Sequence, residues 1–256
     1  MESLLAFWIE GGVDALYEPA PVDRMRPSVA AAPRLIMPAV IPTADPAATL
    51  QVDLEQARAT ASAADDVAAL KLAIEAFDGC PLKTAGARQA VFSRGPADAP
   101  VMVIGEAPGA DEDVRGEPFV GRAGQLLDRM LAAAGLDGRV FITNTVFWRP
   151  PGNRNPTPAE QSACQPFLER AIAMVRPRLL LLVGGAAAKS MLQRGEGILS
   201  LRGRWFEWRA AGGGLEIPAM PTLHPAFLLR EPSAKKKAWQ DLLTLAERLD
   251  RPERPT

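Results

Sequence analysis

Residues 101–127 read VMVIGEAPGADEDVRGEPFVGRAGQLL, and the change of pattern inside this stretch decides the fold. Val101, Met102, Val103 and Ile104 form the short apolar run expected of a strand buried on both faces. The run stops at a turn in which Gly105 and Gly109 permit close approaches that a Cβ would forbid. Pro108 stiffens that turn. Helical spacing then takes over, with apolar Leu126, Leu127, Met130 and Leu131. The turn lies at the C-terminal end of a strand, where open α/β sheets place their ligands. Glu106, Asp111, Glu112 and Asp113 crowd its mouth, an unfavourable choice for a purely structural turn, so a binding or catalytic site is expected there. Phe119, set between Pro118 and Val120, suits core filling and a stacking platform equally well; periodicity does not separate the two.

Outward from this stretch the same alternation repeats. Val140–Asn144 reads as strand and Pro158–Val175 as helix; Leu179–Val183 reads as strand and 186–193 as helix. The pattern predicts a three-layer α/β/α sandwich around a central, mostly parallel sheet. Thr157 can cap the long helix, with Pro158 in its first turn and Glu160 placed for a capping box. Residues 205–208 alternate as a strand does, before a turn at Gly212-Gly213-Gly214, and a final helix is expected over 234–249. The GGAAAKS segment at 184–190 is not a phosphate loop, because Ala188 stands where that motif needs glycine.

The chain has 256 residues, 48% hydrophobic and 23% charged, with a net charge of −1. Its composition is that of a globular protein with a sizeable core. Three segments are expected. Residues 1–48 hold an amphipathic helix and a proline-rich extension, suited to docking a protein partner; 49–78 form a helical lead-in; 79–256 form the catalytic domain. No apolar run approaches the ~20 residues of a membrane span. The acidic start of the chain does not resemble a signal peptide, and two cysteines make no disulfide scaffold, so a cytoplasmic monomer is expected.

Chemistry is expected from a few further residues. His224 is the only histidine, and Pro225 after it restricts it toward extended geometry. Asn144 closes an apolar strand; it can cap a turn, or offer one acceptor and two donors to a ligand.

The block from Gly105 to Leu127 resembles the first motif of the family 4 uracil-DNA glycosylases. Three more segments resemble the same family in the same order: NTVFWRPPGNR at 144–154, LVGGAAA at 182–188 and TLHPA at 222–226. The similarity spans residues 75–250. It implies a DNA-repair enzyme, active on DNA containing uracil, that hydrolyses the N-glycosidic bond of a flipped deoxyuridine and leaves an abasic site. By resemblance Phe119 stacks on the uracil, Asn144 reads its edge, and His224 stabilises charge growing on O2. Glu106 lies in the water-activating loop with Gly105 and Ala107, the last standing where other families carry a catalytic aspartate. Glu112 lies where a bulky group would exclude the 5-methyl of thymine. Arg149 and Arg154 suit phosphates, with Arg202 and Arg204 as part of the same rim. The lysines at 235–237 oppose the helix dipole and read either as a solvated face or as a DNA-backbone contact.

The match departs from the family at one place. Family members hold a 4Fe–4S cluster on four cysteines, and here those positions read Phe77, Cys80, Trp148 and Cys164. Such clusters need four thiolate-class ligands. No metal and no cofactor is therefore expected. Two alternatives stand beside the enzyme: a noncatalytic DNA-binding scaffold, and a glycosylase for another deaminated base.

Overall fold

The side chains of the central strands alternate between two helical layers, which fixes the architecture. In the computed structural model, which describes residues 46–251, six strands form one sheet in the order β1-β3-β2-β4-β6-β5. They are β1 (Ser93–Arg94), β2 (Val101–Gly105), β3 (Val140–Asn144), β4 (Leu179–Val183), β5 (Phe206–Arg209) and β6 (Glu216–Thr222). The central four run parallel, and the edge strands β1 and β5 pair antiparallel. The expected mostly parallel sheet is present.

Met102, Ile104, Phe141, Leu180 and Leu182 face one way. They pack against α1 (Pro46–Ser62), α2 (Val67–Ala76) and α6 (Pro158–Val175). Between these lie α3 (Pro81–Thr84), α4 (Ala110–Arg115) and α5 (Arg122–Ala133). Val101, Val103, Ile142, Leu181 and Val183 face the other way, with Leu127 and Leu131 of α5 and Leu242, Leu245 and Leu249 of α10 (Lys235–Asp250). The period of two along each strand thus builds three layers from one sequence pattern. The remaining helices are α7 (Gly185–Leu192), which follows β4 directly, α8 (Ile198–Leu201) and α9 (Pro225–Arg230), which follows β6. Thr157 and Glu160 make the expected capping box at the start of α6.

The helical lead-in is not a separate segment. Ala57, Ala61, Leu70 and Ile74 share one buried cluster with Phe167 and Ile172 of α6, and the described residues belong to one compact unit. Alanines on α1 allow close helix contact, and Leu70 and Ile74, apolar positions available for packing in the sequence, are buried. The helix expected in 1–17 and the proline-rich extension lie outside the described residues. No helix among the described residues is long and apolar enough to cross a membrane.

Because Ile74 is fully buried in that shared cluster, Ile74→Ala is expected to destabilise the whole domain by about 2–5 kcal/mol. Urea denaturation should show one transition moved to lower denaturant. A transition unchanged in midpoint would mean that the lead-in contributes nothing to the core.

Candidate active site

The site forms where β2 and β3 end side by side. Gly105 and Asn144 are register partners on these strands. A Cβ at Gly105 would lie 2.4 Å from Asn144 Oδ1 and 2.5 Å from Phe119 Cζ. The missing side chain therefore makes the space in which a carboxamide and an aromatic ring meet.

Phe119 reaches this position through a left-handed backbone, φ 55°, uncommon for a bulky residue and strained. Several contacts hold it. The Glu112 carboxylate accepts from the N–H groups of Val120 and Gly121, both at 2.9 Å, and from that of Gly109 at 3.1 Å. Arg94 donates to the carbonyls of Pro118 (2.8 Å) and Phe119 (3.2 Å) while pairing with Asp128. Gly124 completes the seat, since a Cβ there would fall 1.7 Å from the Phe119 carbonyl oxygen. The Phe119 ring is consequently fixed 5.8 Å from the His224 ring, centroid to centroid, with a 32° tilt. Of the two readings open in the sequence, core filling and platform, the ring satisfies parts of both: it is buried, yet it lines a cavity.

His224 caps the N-terminus of α9, where its Nδ1 accepts from the Ala226 N–H at 3.1 Å. In a neutral ring this leaves the proton on Nε2, available as a donor. Burial, and then the charge of Arg230, lower its pKa from 6.5 to about 4, so the imidazole is neutral at pH 7. Gly184 in the β4–α7 turn gives the ring room, a Cβ there lying 3.1 Å from His224 Cβ.

Glu106 is anchored through its backbone: its carbonyl accepts from the Thr145 hydroxyl at 2.7 Å and the Val146 N–H at 3.3 Å. Its side chain is not engaged. Glu106 Oε1 and Asn144 Oδ1 are buried acceptors without partners among the described residues. Such groups are rare in native interiors and point to a ligand or water that satisfies them. Burial alone raises the Glu106 carboxyl above its ordinary range.

Glu106, Ala107, Glu112, Phe119, Asn144, Arg154 and His224 all line one cavity of about 570 Å³. It can accept a flat ring on Phe119 with a polar edge toward Asn144. A larger groove of about 800 Å³, beside Asp65, Lys71 and Arg170, gathers none of the residues expected to do chemistry. Sequence reading missed Phe227, Asn153 and Arg230 on the cavity wall, and Arg94 behind the loop. The run from His224 to Arg230 is a short helix starting at the cap, a signal that could have drawn attention to Arg230.

The arginines of the expected basic rim differ in their partners. Arg202 pairs with buried Asp241 and donates to the Lys237 carbonyl. A guanidinium beside a desolvated carboxylate is held in place, whereas its neighbour Arg204 is exposed. Arg154 is bound by both Glu160 oxygens, at 2.6 and 2.8 Å. Arg149 binds Asn153 at 2.7 Å and lies 4.0 Å from Asp113. These two brace the loop at 149–154 as well as standing near the cavity. Glu112, expected as a methyl-excluding wall, also spends its carboxylate on the loop backbone.

At the position of the family's cluster, the Cys80 and Cys164 sulfurs lie 3.9 Å apart, both buried. Phe77 and Trp148 are buried beside them, with Phe77 5.0 Å from the Phe167 ring. Burial pushes the Cys164 thiol up. Two thiols and two aromatic rings do not fit a cluster that needs four thiolates. No group of three or more metal-ligating side chains occurs among the described residues.

Parallel strands ending at a cavity with one aromatic wall and a polar edge define a site for a planar ligand. Residues 92–243 match the sequence profile of the Uracil DNA glycosylase superfamily. The chain is 39% identical over 182 residues to the Type-4 uracil-DNA glycosylase of Pyrobaculum aerophilum, covering 69% of this chain and 91% of that protein. It is 40% identical over 168 residues to that of Saccharolobus solfataricus, covering 63% and 77%. It is 40% identical over 157 residues to that of Thermotoga maritima, covering 60% and 78%. The chain belongs to the uracil-DNA glycosylase superfamily.

The buried imidazole makes stability depend on pH. Its folded pKa, about 4, lies below the unfolded 6.5, so the unfolded chain takes up a proton first as pH falls. The stabilisation is complete above pH 6.5 and is lost between 6.5 and 4. Wild-type protein should lose up to about 3 kcal/mol more than His224→Gln across this window. Chemical denaturation of both at pH 7 and pH 4 measures the difference; equal losses would contradict a buried neutral imidazole.

Proposed function

We propose that this protein is a uracil-DNA glycosylase acting in DNA repair, hydrolysing the N-glycosidic bond of a deoxyuridine flipped out of the DNA. The observation that carries the reading is the convergence of Phe119, Asn144, His224 and Glu106 on one cavity, with the Asn144 and Glu106 acceptors buried and unpartnered. The names of the similar proteins support the same substrate.

The base stacks on Phe119. Asn144 Oδ1 accepts from uracil N3–H while Nδ2 donates to O4; cytosine presents the opposite donor and acceptor pattern and is refused. As the C1′–N1 bond breaks, its electron pair goes to the uracil ring. His224 Nε2–H donates to the growing charge on O2. A neutral, prepositioned donor in a dry pocket stabilises that charge without reorganisation. Water adds to C1′ and Glu106 takes its proton, a role favoured by a carboxylate whose basicity is raised by burial. Arg230, on the cavity wall, holds a phosphate beside the flipped nucleotide. The chain carries out this chemistry without an iron–sulfur cluster, its place taken by Phe77 and Trp148 packed around the Cys80–Cys164 pair.

The test is incubation with labelled oligonucleotides carrying uracil, hypoxanthine or a thymine mismatch, followed by alkaline cleavage. Uracil-dependent nicking is expected, with Asn144→Ala and His224→Ala each slower by about 10²–10³. Binding without nicking would favour a noncatalytic scaffold, and hypoxanthine-selective nicking the other base. The rate should fall at acid pH with a midpoint above 4.5, and Glu106→Gln should remove that limb. Iron analysis of the native protein should give no stoichiometric iron; stoichiometric iron would overturn the cluster-free reading.

A further inference from the structure

With a net charge of −1, affinity for a polyanion must come from a local surface. Several arginines near the cavity are already engaged: Arg94 with Asp128, Arg154 with Glu160 and Arg202 with Asp241. Other cations are placed differently. Arg194 and Arg204 both lie over the ring of Phe206, at 5.0 and 5.5 Å from its centroid. A ring face fixes a guanidinium by cation–π attraction without using its N–H groups, of which Arg204 gives one to the Ser200 carbonyl at 3.4 Å. Glu196 pairs with Arg194 at 3.0 Å, but both side chains are half exposed, so the pair is weakly held in water. Lys235, Lys236 and Lys237 are all exposed on the first turn of α10. Cations there oppose the helix dipole, and no side chain caps this terminus.

The internal contacts of Arg202 join this surface to the strand that leads into the cavity. Arg202 donates to Asp241 and to the Lys237 carbonyl, and Asp241 accepts from the Thr222 hydroxyl at 2.8 Å. The Gly203 N–H donates to the Pro221 carbonyl at 2.9 Å. Pro221 and Thr222 end the strand that leads directly into His224. Phe206 is the register partner of Ala219 on that same strand, so β5 begins near the end of the sheet that carries the site. Arg202 is thus a rivet that ties Arg204, Lys237 and the His224 strand together.

We propose that Arg194 and Arg204, fixed over Phe206, together with Lys235, Lys236 and Lys237, form a phosphate-binding strip that carries the DNA backbone past one side of the cavity. This rests on the glycosylase reading for the identity of its occupant. The strip holds backbone and reads no bases, so its contribution is independent of sequence and depends on salt.

Binding of a fluorescein-labelled, uracil-free single-stranded oligonucleotide, followed by anisotropy over a salt series, tests it. Arg194→Ala/Arg204→Ala should flatten the slope of log K against log salt by about 1.4, two phosphate contacts at about 0.7 each. Arg194→Lys/Arg204→Lys should keep the wild-type slope, because the charges remain. Should the alanine pair fail to fold, Lys235→Ala/Lys236→Ala/Lys237→Ala carries the same test on exposed side chains, with an expected loss of about 2. An unchanged slope in the folded alanine variant overturns the proposal. Because this probe contains no uracil, its slopes read the strip alone; if the variants show these slope changes while the wild-type protein releases no uracil from a separate uracil-containing oligonucleotide, the glycosylase reading alone is refuted.

Discussion

The absence of one side chain, at Gly105, is the constraint on which the site depends. Two parallel strands end in register there, and the space a Cβ would fill is occupied from one side by Asn144 and from the other by Phe119. The ring could not stay in that space by itself, because its backbone is left-handed and strained. The Glu112 carboxylate supplies the compensation by gathering three backbone N–H groups from both ends of the loop. A residue that the motif places near the substrate thus acts first on the chain itself.

Electrostatics in the cavity follow from the same enclosure. Burial keeps His224 neutral at pH 7 and raises the Glu106 carboxyl above its ordinary range. One cause therefore moves the two groups in opposite directions, as desolvation disfavours whichever form is charged. Outside the cavity the economy differs. Some cations brace the chain, Arg202 against buried Asp241 and Arg154 against Glu160, while Arg204 and the lysines that begin α10 are exposed without an ion-pair partner among the described residues.

The interior around Cys80 and Cys164 is held together by packing. Phe77, Phe167, Trp148 and the two cysteines share one buried cluster contributed by segments distant in sequence. Aromatic packing is less directional than coordination, but it satisfies the requirement that an interior contain no large void.

The layers, the strand order of burial, the capping box at Thr157 and the pocket residues Phe119, Asn144 and His224 were legible in the chain, because each depends on local periodicity or a contiguous motif. The lead-in helices were visible as helices with apolar positions to bury, but their partner, α6, was not, since composition does not reveal what a face packs against. Arg202 and Arg204 have the same chemistry and nearly the same position in sequence. Only the tertiary structure assigned one to buried Asp241, 39 residues away, and left the other in solvent. The sequence by itself determined which elements form and which groups can do chemistry. Which charges are neutralised, and which backbone is held under strain, depended on long-range contacts, because a partner's identity is set by the packing of the whole domain and not by neighbours along the chain.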